Sequence, residues 1–64
     1  MKLLSFILSA ANGCCRYATA KTRRTAFKEA RQYARDNRCD VKLLDEKLHI
    51  VNTIRVVDAL KEHP

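Results

Sequence analysis

Residues 3–10, LLSFILSA, place Leu4, Phe6, Leu8 and Ala10 on one side of an extended chain. Leu3, Ser5, Ile7 and Ser9 fall on the other side, a period of two that predicts a strand. Asn12-Gly13 follows, a strong short-range signal for a tight β-hairpin turn. Residues 14–20, CCRYATA, then read as the returning strand. One helix through residues 2–11 is the competing reading. The Asn-Gly pair, followed by residues of strand character, favours the hairpin.

The period changes at residue 23. Residues 23–38 are dominated by Ala, Arg, Lys, Glu and Gln, all good helix formers. Thr22 or Thr25 is placed to cap the first free N–H groups. At 100° per residue, Phe27, Ala30 and Ala34 share one side, with Ala26 and Tyr33 flanking them. This is the expected core face, and its alanines would let the helix lie close to a sheet.

Two short strands are expected next, DVKLLD over 40–45 and KLHIVN over 47–52, joined at Asp45-Glu46. In that register Leu48 and Ile50 would meet Val41 and Leu43. The final stretch, TIRVVDALKEHP, carries Ile54, Val57 and Leu60 at helical spacing, with Asn52 or Thr53 as a cap. Its β-branched residues also suit a strand, but the spacing favours a short helix. The predicted fold is α+β: a ββαββ chain whose two hairpins form a small antiparallel sheet. A central basic helix and a short C-terminal helix cover one face.

Size adds a constraint. Sixty-four residues, 47% of them hydrophobic, make a single small domain. A chain of this length buries only about 60% of the surface its unfolded form exposes. Both sides of the first strand are partly apolar, so Leu3 and Ile7 need a cover. The C-terminal helix, a second copy or a partner protein would serve, and a homodimer is the favoured expectation.

Charge changes the picture more. The formal net charge is +6. Residues 16–38 carry eight positive and two negative charges, which equals the whole excess. On the helical wheel Arg24, Lys28, Arg31, Arg35 and Arg38 lie within roughly 80° of one another. Glu29 and Asp36 lie elsewhere. Like charges four apart repel by about 0.2–0.5 kcal/mol per pair. A stripe of this kind calls for an outside anion to offset the repulsion. Arginine binds phosphate through a planar two-point fork and stays charged. Arg16, Lys21 and Arg23 would extend the patch. The leading expectation is a non-catalytic nucleic-acid-binding protein that contacts DNA or RNA phosphates through Arg16, Lys21, Arg23, Arg24, Lys28, Arg31, Arg35 and Arg38. The alternative is an inhibitor or adaptor, of the kind phages and mobile elements encode, that docks on an acidic protein surface. An exposed Tyr17 or Tyr33 beside the stripe would favour that alternative, because protein docking uses aromatic anchors.

Other chemistry is sparse. Cys14, Cys15 and Cys39 are an odd set without the paired spacing of a disulfide framework or zinc site. They read as reduced thiols of a cytoplasmic protein, with no cofactor. Cys39 and His49 would make a nucleophile–base pair only within hydrogen-bonding reach in a cleft. Gly13 is the single glycine, so no glycine-rich phosphate loop can form. The start, MKLLSFILSAANGCC, has the basic residue, apolar run and cysteine of a lipoprotein signal. Its apolar run is short and broken by Ser5, and Ala11 stands where such signals usually carry Leu. A strand is the better reading.

Overall fold

A computed structural model describes residues 2–61. The element order is β1 (Leu4–Ala10), β2 (Cys15–Ala20), α1 (Arg23–Asn37), β3 (Val41–Asp45), β4 (Ile50–Ile54) and α2 (Val56–Lys61). The strands form one antiparallel sheet in the order β2-β1-β3-β4. The expected ββαββ order and the C-terminal helix are both present. β2 and β3 flank β1 and run parallel to each other, so the chain between them must cross the sheet, and α1 makes that crossing.

The first hairpin forms where Asn12-Gly13 indicated. Gly13 N–H donates to Ala10 O at 3.0 Å and Ala10 N–H to Cys14 O at 2.8 Å. Gly13 has φ 96°, which a glycine adopts without steric cost. The connection is therefore a three-residue loop with glycine at the positive-φ position, longer than the two-residue turn typical of Asn-Gly. The signal-like start is the strand at the centre of this arrangement. Phe6, Leu8 and Ala10 of β1 are buried, while Leu4 of the same side is 41% exposed.

Thr22 caps α1, its Oγ1 accepting the Thr25 N–H at 3.2 Å. The helix ends at Arg38, whose φ of 57° is left-handed and whose N–H donates to Ala34 O. Ala26, Ala30 and Ala34 are fully buried against the sheet, and Phe27 and Tyr33 flank them. The buried line is thus all alanine, with Phe27 at its edge. Small side chains bring the helix axis close to Leu8, Val41 and Leu43, the largest fully buried side chains.

The second hairpin departs from expectation. β4 begins at Ile50, three residues later than the pattern indicated. Asp45 explains the shift: its Oδ1 accepts the N–H of both Lys47 and His49 at 2.9 Å. That side-chain turn occupies residues 46–49 and holds Leu48 at φ 66°. Leu48 therefore lies in the turn, 63% exposed, and does not meet the core. Val41 pairs with Ile54 and Leu43 with Asn52, while Ile50 faces Leu44. The register slips between Leu43 and Leu44, which leaves Val51 as the extra residue of a bulge.

The C-terminal helix also starts later than expected, at Val56. Ile54 ends β4 and is buried there, and Ala59 is the buried residue of α2. Val57 and Leu60 are 49% and 46% exposed. Neither Asn52 nor Thr53 caps it. Asp40, before β3, accepts the Val56 N–H at 2.8 Å. α2 packs beside α1 on the same face of the sheet, so it does not cover Leu3 or Ile7. Residues 62–64 of the expected helix lie outside the described residues.

Candidate nucleic-acid interface

α1 sets a row of long cationic side chains over β3 and β4. Because its buried line is alanine, the helix sits low, and residues on its Phe27 flank overhang the neighbouring strands. The result is an open groove of about 580 Å³ between the first half of α1 and the β3–β4 pair. Arg23, Arg24, Lys28 and Arg31 line it on the helix side. Phe27, Leu43, Val51 and Asn52 complete the lining. The β4 bulge is what allows Val51 and Asn52, which are consecutive, to line the same groove. Among the described residues, four cations and no acidic side chain border it.

Local electrostatics sharpen this. The first turn of α1 contains no acidic residue and two arginines. Helix N-termini carry a positive partial charge, and cations there are unfavourable by about 0.3–1 kcal/mol each at exposed sites. Arg31 stacks on Phe27, with the guanidinium carbon 4.4 Å from the ring centre. This cation–π contact fixes Arg31 at the boundary between the groove and a second hollow of about 340 Å³. That hollow shares Phe27 and Arg31 and adds Arg55, Lys61 and, as the one acid among the described residues, Asp58.

The eight residues singled out from sequence divide. Arg23, Arg24, Lys28 and Arg31 are together in the groove. Arg35 turns towards α2. Its Nη1 donates to Ala59 O at 3.3 Å and its Nη2 to Gln32 Oε1 at 2.7 Å. Arg38 is the exposed C-cap at the far end of α1. Lys21 is exposed in the loop before the helix and lines no part of the groove. Arg16 is on β2, where it borders the opposite flank of α1 with Glu29, Gln32 and Asp36. The two acids of the basic segment are thus gathered near Arg16 and kept away from the groove.

Three residues were missed: Asn52, Arg55 and Lys61. No local pattern marks them, because only the β3–β4 register and the docking of α2 bring them beside α1. Phe27 is legible as a core residue, yet it is half-buried and offers part of its ring to both hollows. Neither tyrosine lines the groove or the hollow next to it. Tyr33 is half-buried on the acidic flank, and Tyr17 is on β2 with its partner Ile7, on the sheet face away from α1. Cys39 precedes β3 and His49 follows it, so they lie at opposite ends of that five-residue strand, beyond hydrogen-bonding reach at about 3.3–3.4 Å per residue. Among the described residues no three His, Cys, Asp or Glu side chains converge as metal ligands would. None of the described helices is long and apolar enough to cross a membrane. No family model, no curated protein and no solved structure matches this chain.

Proposed function

We propose that this protein binds nucleic acid without catalysing a reaction on it, holding phosphates with Arg23, Arg24, Lys28 and Arg31. One observation carries this reading. Four cationic side chains border a groove that no acid among the described residues borders, at a helix end that already repels cations. Such a site gains affinity by releasing counterions from a polyanion. Arg55 and Lys61 extend the positive surface past Arg31, so a backbone running from the start of α1 towards α2 meets cations along its path. Phosphate contacts position a chain but do not read its sequence, so binding is largely non-specific.

Arg35 is left out of the charge-reversal test, because its hydrogen bond to Ala59 O ties α1 to α2. Arg24→Glu/Lys28→Glu reverses two groove cations at exposed positions. Fluorescence anisotropy with a mixed-sequence DNA duplex and its RNA counterpart at 50 mM salt is the readout. Wild type should bind, and the double variant should bind at least about thirtyfold more weakly, at roughly 1 kcal/mol or more per phosphate contact. Arg16→Glu, on the opposite flank, should change affinity less than threefold. Equal losses from Arg16→Glu and the groove pair would remove the groove from the proposal. Wild type that ignores both duplexes would point to an acidic protein surface as the partner.

A further inference from the structure

The sheet is covered on one face only. Both helices pack against the side that holds Phe6, Leu8, Val41, Leu43 and Ile54. The bare side has an ordered pattern of its own. Tyr17 pairs with Ile7, Ile7 with Leu44, and Leu44 with Ile50. These four side chains make one apolar row that crosses every strand of the sheet. Tyr17 is 81% exposed and Ile50 56% exposed, and Ile7 and Leu44 between them are half-buried.

We propose that this face is a homodimer interface, in which two copies pack sheet against sheet with the apolar rows in contact. Charge is the first argument for a second copy. Lys42 is the one charged residue at a strand position of the bare face; its neighbours there are hydroxyls, the Cys15 thiol and the row itself. A phosphate polymer or an acidic protein finds little to pair with on such a surface. Two copies of a chain with net charge +6 can meet there, because the groove cations lie on the other side of the sheet.

Geometry is the second argument. A two-fold axis along the strands and between the sheets sets β2 of one copy over β4 of the other. Tyr17 then falls on the partner's Ile50, and Ile7 on the partner's Leu44. The row is therefore complementary to itself, as an isologous contact requires. Sheets packed this way stand about 10 Å apart with side chains interleaved. Size is the third argument. The molecule measures 32 × 26 × 15 Å, so it is flat, and its broad side is the one on which a second copy of the same outline covers the most surface. Need is the fourth. Six of the eleven buried hydrophobic residues are alanines, so the monomer core is thin. Chains this short commonly gain stability by associating. Both grooves stay outside in such a dimer, so the inference does not depend on what the grooves bind.

Sedimentation velocity at about 10 to 200 µM tests it. Wild type should approach twice its chain mass of 7.4 kDa as concentration rises. Tyr17→Lys and Ile50→Lys, each at an exposed position, should shift the midpoint at least tenfold upward in concentration, and the double variant should sediment as a monomer. Circular dichroism of the variants reports retention of the fold, and Tyr17→Ser gives a milder change at the same edge strand. Leu60→Lys, exposed on α2, should leave the dimer intact. A wild type that stays monomeric at 200 µM would overturn the proposal. So would a dimer that survives Tyr17→Lys/Ile50→Lys, or one that Leu60→Lys dissolves and those variants do not.

Discussion

Asp45 shows how one side chain sets local geometry. Its carboxylate accepts two backbone N–H groups, and chiefly the His49 bond holds its pKa below the usual aspartate value. A group with a depressed folded pKa contributes its stabilisation above the unfolded pKa. That contribution should fade as pH falls below about 4 and through the lower folded value. The amide proton shifts of Lys47 and His49 should move together with that titration, and in Asp45→Asn the pH response should vanish. Leu48 is the cost of this turn. A leucine at φ 66° is disfavoured by roughly 1–2 kcal/mol. Its side chain is largely exposed, so Leu48→Gly loses little packing. Glycine should raise stability by about 1 kcal/mol, read as a higher urea midpoint with unchanged m-value. Apolar alternation alone placed Leu48 in a strand facing the core. The alternation was present, but the Asp45 side chain outcompeted strand pairing for the Lys47 and His49 N–H groups.

At the scale of elements, α1 was legible almost to the residue. Its composition, its cap at Thr22 and its apolar flank all point the same way, and the helix forms over Arg23–Asn37. The N-terminal hairpin was legible for a similar reason, since Asn12-Gly13 and the period of two over Leu4, Phe6, Leu8 and Ala10 agree. α2 was legible only as a tendency. Its start depends on Asp40, which is 16 positions before Val56 in the chain and meets it only after β3 and β4 have paired. Its docking depends on Arg35 reaching Ala59 O. Asp40→Ala should therefore loosen α2 while leaving α1 and the sheet in place. A loss of about 1 kcal/mol is expected, as for other helix caps. Hydrogen exchange would show faster exchange in residues 56–61 and unchanged protection in β1. Uniform loss of protection would mean instead that α2 folds as one unit with the sheet.

The whole molecule sorts its charges by flank. The basic segment read as one stripe of five, but folding divides it. Arg24, Lys28 and Arg31 join Arg23 at the groove, Arg35 is drawn into the contact between helices, and Arg38 closes the helix end. The helical wheel cannot show this division, because it knows neither where α2 docks nor which strand lies under which flank. The same topology brings Arg55 and Lys61 towards the groove and keeps Glu29 and Asp36 apart from it. Homodimerisation through the bare sheet face would leave two such surfaces pointing outward.

The most direct measurement of the central claim is the salt dependence of wild-type binding to duplex DNA. Four groove cations, or six with Arg55 and Lys61, should give a slope of log K against log salt between about −3 and −6. A steep slope in that range, reduced by about 2 in Arg24→Glu/Lys28→Glu, is the predicted result. A slope near zero, or one that the double variant leaves unchanged, would contradict phosphate binding at this groove.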